Sequence, residues 1–145
     1  MICVLRASFK INMDPELLLQ VCQRGDVDTL RVLIAAGISL ERTKNQYGYT
    51  VLMIGSRHPE IVDILLSAGA NCNTQDNLGN TCLHYVVIWN KIDVATLLLN
   101  AGADRNIPNN KGHTCTQMPT HLNDTASFIR DYIYPGEDIK DPGFL

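Results

Sequence analysis

The side chains best suited to chemistry are four histidines (His58, His84, His113, His121) and five cysteines (Cys3, Cys22, Cys72, Cys82, Cys115). Cys82-x-His84 and His113-x-Cys115 together have the look of a zinc set. Yet Cys82 and Cys115 fall 33 residues apart at the same place in a repeating pattern. Stacked units would hold them about 8–10 Å apart, too far to share a tetrahedral ion, so no metal is expected. A cysteine–histidine nucleophile needs direct contact and a third group to orient the base, and none is evident. Phosphate-cradling loops, a dinucleotide fingerprint, a Gly-x-Ser-x-Gly elbow and His-Glu-x-x-His are all missing from the sequence. The expectation is a protein that is not an enzyme, with no cofactor and no small-molecule substrate.

Composition narrows the partner. Twelve Lys and Arg against fifteen Asp and Glu leave a net charge of −3, and the basic residues are scattered, with Arg105 and Lys111 the nearest thing to a patch. Nucleic-acid binding through phosphates needs a clustered basic surface, so none is expected. No apolar run nears the ~20 residues that span a bilayer, and the first ten residues are too short and interrupted for a secretory leader. An odd cysteine count without Cys-x-x-Cys pairs suits a reducing compartment. The expected location is cytoplasmic or nuclear, without membrane insertion.

What must position these residues is a repeat. Ile34-Ala-Ala-Gly37, Leu66-Ser-Ala-Gly-Ala-Asn71 and Leu99-Asn-Ala-Gly-Ala-Asp104 are near copies, with glycines 32 and 33 residues apart. Gly48-Tyr-Thr50, Gly79-Asn-Thr81 and Gly112-His-Thr114 form a second series, spaced by 31 and 33. Glycine after a leucine run ends a helix in the left-handed region. The Asn/Asp/Gly-rich stretch that follows favours tight turns, and the threonine after the second glycine can cap the next helix. Ile92, Ala95, Leu98 and Leu99 lie on one helical face. A unit this thin cannot bury its apolar face alone, so neighbours must stack into an α-solenoid.

Gly79-Asn-Thr-Cys-Leu-His84 and Leu98-Leu-Asn-Ala-Gly-Ala-Asp-Arg-Asn106 closely resemble the ankyrin-repeat motif, and the resemblance covers roughly residues 14–133. It implies an all-α repeat fold, helix-turn-helix units joined by β-hairpin-like loops. Four repeats are placed at about 14–44, 45–74, 75–107 and 108–133, after an N-terminal extension (1–13) and before a loop-like tail (134–145). Asp14-Pro15 should open the first helix and Asp26 should cap Val27 to Ala36. His84 falls on the family's structural histidine. The fourth unit is degenerate, with Thr114-Cys-Thr-Gln-Met-Pro119 in place of its first helix.

The second unit is shorter than the third, 21 residues from Gly48 to Gly69 against 23 from Gly79 to Gly102. Ile54-Gly-Ser-Arg-His-Pro59 stands where the first helix and turn belong, so a truncated helix and a local notch are expected. The shape resembles that of the ankyrin inhibitors of cyclin-dependent kinases.

By the same resemblance, hairpin tips and the exposed faces of first helices line a concave groove that grips a partner protein. These positions are Gln46, Tyr47, Tyr49, Arg57 and His58, then Asn77, Leu78, Asn80, Ile88 and Trp89, then Asn110, Lys111 and His113. Exposed aromatic anchors among polar groups are what interfaces use. Two structural roles stay open beside that one: Trp89 leaning on the fourth repeat, and Tyr47 and Tyr49 stacking between hairpins. Binding another protein through the groove is the expected function. Inhibition of a kinase or other enzyme through the notch is the alternative. The apolar segment Ile2 to Met13 either covers the first repeat, stays partly disordered or docks elsewhere. Asn73 and Asn106 sit at the hairpin asparagine that some family members have hydroxylated, and otherwise bond within turns.

Overall fold

The computed structural model describes residues 14–119 and 124–132. The readings of segment 1–13, His121 and the tail lie outside the described residues. Asp14 accepts the Glu16 N–H at 3.0 Å with Pro15 in the first turn, and α1 runs Pro15–Arg24. Asp26 then accepts the N–H of Thr29 at 3.1 Å and its hydroxyl at 2.6 Å, opening α2 (Val27–Ala35), which stops one residue earlier than expected. These bonds, the hydroxyl's foremost, hold the Asp26 carboxyl below its ordinary range.

The remaining helices are α3 (Val51–Ile54), α4 (Pro59–Ser67), α5 (Cys82–Ile88), α6 (Ile92–Asn100) and α7 (Asp124–Asp131). They form two layers. The first helices of successive units, α1, α3 and α5, pack side by side; behind them α2, α4, α6 and α7 do the same. Leu18, Leu30, Leu52, Leu65, Leu83, Leu98 and Ile129 are fully buried between the layers, in one continuous core. Ile92 departs from its expected place and is 39% exposed. Val94, Ala95, Leu98 and Leu99 define the buried arc of α6, and Ile92 lies about a quarter turn from its centre.

Each hairpin is built on one acidic or amide side chain. Asn45, Asp76 and Asn109 each accept two backbone N–H groups through Oδ1, those of Tyr47 and Tyr49, Leu78 and Asn80, and Lys111 and His113, at 2.9–3.0 Å. The tips then bond to one another: Asn77 N–H donates to the Tyr47 carbonyl at 3.1 Å, and Asn110 N–H to that of Leu78 at 2.9 Å. Stacking this close requires glycine. A Cβ on Gly79 would come within 2.7 Å of the Asn110 nitrogen, and its φ of +77° is left-handed.

The shortened helix is present. α3 has four residues where α5 has seven, and a 3-10 turn, Gly55–Arg57, completes it. Gly55 lets the turn lie flat on α4, since a Cβ there would meet Ile61 Cγ2 at 2.6 Å. His58 is extended and Pro59 starts α4. In the fourth unit a 3-10 turn, Cys115–Gln117, stands in for the first helix. Three tethers hold α7 and the residue after it: Asn90 Oδ1 accepts the Thr125 N–H and hydroxyl (3.2 and 2.6 Å), Arg105 donates to the carbonyls of Ile129 and Tyr132 (3.0 and 2.6 Å), and the Tyr132 hydroxyl donates to Asn100.

Candidate partner-binding groove

The notch left by α3 opens into a cavity of about 370 Å³. Met53 and Ile54 of α3 and Arg57 of the 3-10 turn line it, together with Tyr85 of α5 and Trp89, the residue that caps the end of α5. The hairpin before α3 adds Asn45, Tyr47 and Tyr49, and α1 adds Gln23. The aromatic rings form a continuous row. Tyr47 and Tyr49 are 5.6 Å apart between centroids and tilted; Tyr49 meets Tyr85 edge-on at 5.6 Å; Tyr85 stacks on Trp89 at 5.5 Å. The Arg57 guanidinium carbon closes the row, 4.8 Å from the Trp89 ring, a cation–π geometry.

Four of the residues read from the sequence therefore meet here: Tyr47, Tyr49, Arg57 and Trp89. Tyr47 has its ring contact with Tyr49 of the same hairpin, and Tyr49 in turn meets Tyr85 of the third unit's helix edge-on. The ring contacts of Trp89 are with Tyr85 and Arg57, on the side of the second unit. Leu78 (60% exposed) and Ile88 (43%) are open to solvent elsewhere on the third unit, and Gln46 and Lys111 are exposed at their tips. Asn77 and Asn110 are exposed, yet their amides donate to the Gln46 and Asn77 carbonyls of the preceding tips at 3.1 and 2.9 Å.

Three expected contact residues also take part in bonds between units. Asn80 is 7% exposed, accepts the Asn109 amide at 3.0 Å and meets the Tyr85 hydroxyl, so it is a joint between hairpins. His58 turns back on the first unit, its Nε2 3.0 Å from the Gln23 carbonyl and its ring against Gly25. His113 offers its carbonyl to His84 Nε2 at 2.9 Å. Asn73, for its part, accepts the Asp104 N–H at 2.7 Å.

Sequence reasoning missed Tyr85, although it stands four residues before Trp89 on one helical face. Its hydroxyl donates to Asp76, and burial together with that bond pushes its ionisation well above the ordinary value of 10.0. It is a fixed, neutral wall. The buried thiols are likewise held in the protonated form, Cys22 pushed up to about 12 and Cys115 to about 11, chiefly by burial, which is the condition of an unreactive cysteine. Among the described residues no three His, Cys, Asp or Glu side chains are grouped to hold a metal ion, and no helix is long and apolar enough to cross a membrane.

Comparison with known proteins gives two results. The family described as ankyrin repeats (3 copies) matches residues 3–76, 18–109 and 58–132. Over 79 residues the chain is 33% identical to the phosphocholine transferase AnkX of Legionella pneumophila, a stretch that is 53% of this chain and 8% of that protein.

Proposed function

Because the chain belongs to the ankyrin-repeat family, whose repeats are generally protein–protein interaction modules, we propose that it is a non-catalytic module that grips a partner protein in its concave groove. The observation that carries this reading is the aromatic row beside an open cavity. Tyr47 is 56% exposed although its neighbour Tyr49 is half-buried against Tyr85. Pre-stacked rings offer large contact area with little side-chain freedom left to lose, which is the economy of an interface anchor. The small part of AnkX that is matched gives no ground for carrying a transferase activity to this chain. Thiols held in the protonated form by burial suit a binding role, and a reducing cytoplasmic or nuclear setting goes with it.

The test is a double substitution, Tyr47→Ala with Trp89→Ala. Both side chains lie at the groove rather than in the core, so helical circular dichroism should stay at the wild-type level. Proteins retained from a native lysate by the immobilised wild type should be lost from the variant. Equal retention by both would move the binding surface away from the groove, and loss of helicity would make the row structural.

A second reading, inhibition of a kinase or other enzyme, is favoured by one observation: the cavity's lining includes Met53 and Ile54 of the shortened helix itself. In that case the notch, rather than the row of rings, sets specificity.

A further inference from the structure

The cavity has an uneven charge. Among the described residues its lining is aromatic, apolar or amide except for Arg57, with no Asp or Glu. The nearby acid, Asp76, is spent: it is 7% exposed, its Oδ1 accepts two backbone N–H groups and its Oδ2 the Tyr85 hydroxyl. Arg57 is exposed, but the Trp89 ring fixes where its charge sits. With its guanidinium carbon 4.8 Å from that ring, Arg57 has a fork of N–H donors of the kind that fits a carboxylate.

We propose that this cavity reads an extended segment of the partner protein in which a bulky apolar side chain is followed or preceded closely by an Asp or Glu. The apolar side chain enters between Tyr47, Tyr49 and Trp89 onto Met53 and Ile54, and the carboxylate lies on Arg57. The inference rests on the groove being the docking surface. Charge complementarity chooses the flanking residue: a basic neighbour would meet like charge at Arg57, with no acid in the lining to offset it. About 370 Å³ is at the small end of ligand pockets. It suits one or two side chains rather than a whole folded element.

The experiment is selection of a phage-displayed library of random peptides on the full chain and on Arg57→Glu. The wild type should enrich peptides that pair a bulky apolar residue with a neighbouring Asp or Glu. R57E should keep the apolar residue and exchange the acid for Lys or Arg. A peptide selected on the wild type should bind R57E about tenfold more weakly by fluorescence anisotropy and Arg57→Gln by less, with unchanged melting temperatures. Enrichment without an acidic preference, or equal binding to R57E, overturns the charge reading and leaves the groove reading standing. Peptides that bind the Tyr47/Trp89 double-alanine protein as well as the wild type, or no enrichment at all, overturn the groove reading and this inference with it.

Discussion

The His84 ring joins two units through a single tautomer. Nδ1 accepts the Thr81 N–H at 3.0 Å, which leaves the proton on Nε2 to be donated to the His113 carbonyl. Burial penalises the charged ring and outweighs the His113 carbonyl and the Asp76 charge, which favour it, so the His84 pKa lies below its ordinary 6.5. The unfolded chain then binds the proton more readily than the folded one. The contribution is full above pH 6.5 and declines as pH falls below it. Thermal unfolding from pH 8 to pH 5 should show the melting temperature dropping below that value, and less so in His84→Gln. Gln117 already accepts the Thr114 N–H at the equivalent place in the fourth unit, so a glutamine can serve the cap. It cannot reach His113, and the variant should be less stable at pH 8 by about 1–2 kcal/mol. The role of His84 was legible because it stands within a motif. That of Asn80 was not: it lies beside a turn glycine and reads as exposed, and what buries it is Asn109, 29 residues away.

Among the elements, α3 was the most legible and the most consequential. Counting glycine to glycine was enough to expect the truncation, because a helix two residues short cannot reach its usual turn. The count could not tell that the shortfall would be walled by rings from the next unit, since Tyr85 gains its meaning only when α5 packs beside the preceding hairpin. Inserting two alanines after Ser56 should let α3 extend toward the seven residues of α5 and fill the cavity. The expected outcome is loss of peptide or partner binding by at least about tenfold, roughly 1.4 kcal/mol, with a smaller change in unfolding free energy by urea titration. A variant that unfolds more easily yet binds as before would mean that the notch serves packing alone. The same shortening places His58, which follows the truncated helix, against Gly25 and the first unit.

At the scale of the whole molecule, stability is a sum over units and their interfaces. The period and the stack follow from the spacing of glycines and leucines. The tethers of α7 do not, because Asn90 and Arg105 act over 35 and 24–27 residues. With a 3-10 turn in place of its own unit's first helix, and α6 as its one neighbour in the outer layer, α7 should open before the centre. Its amides should exchange with solvent deuterium through an opening cheaper than that of α4 or α6. Asn90→Ala removes the bonds to Thr125 and places alanine at a φ of +53°, so it should lower that opening energy by about 1–3 kcal/mol and leave α4 unchanged. Uniform exchange across all units would mean that the stack opens as one. The row of rings has an optical corollary. The chain has a single tryptophan, at the end of three tyrosines spaced 5.5–5.6 Å apart. Light absorbed by Tyr47 and Tyr49 should therefore emerge as indole emission while the second and third units stay docked, and as tyrosine emission once they part. The groove is its own spectroscopic probe, and neither dye nor label is needed to watch it fill or come undone.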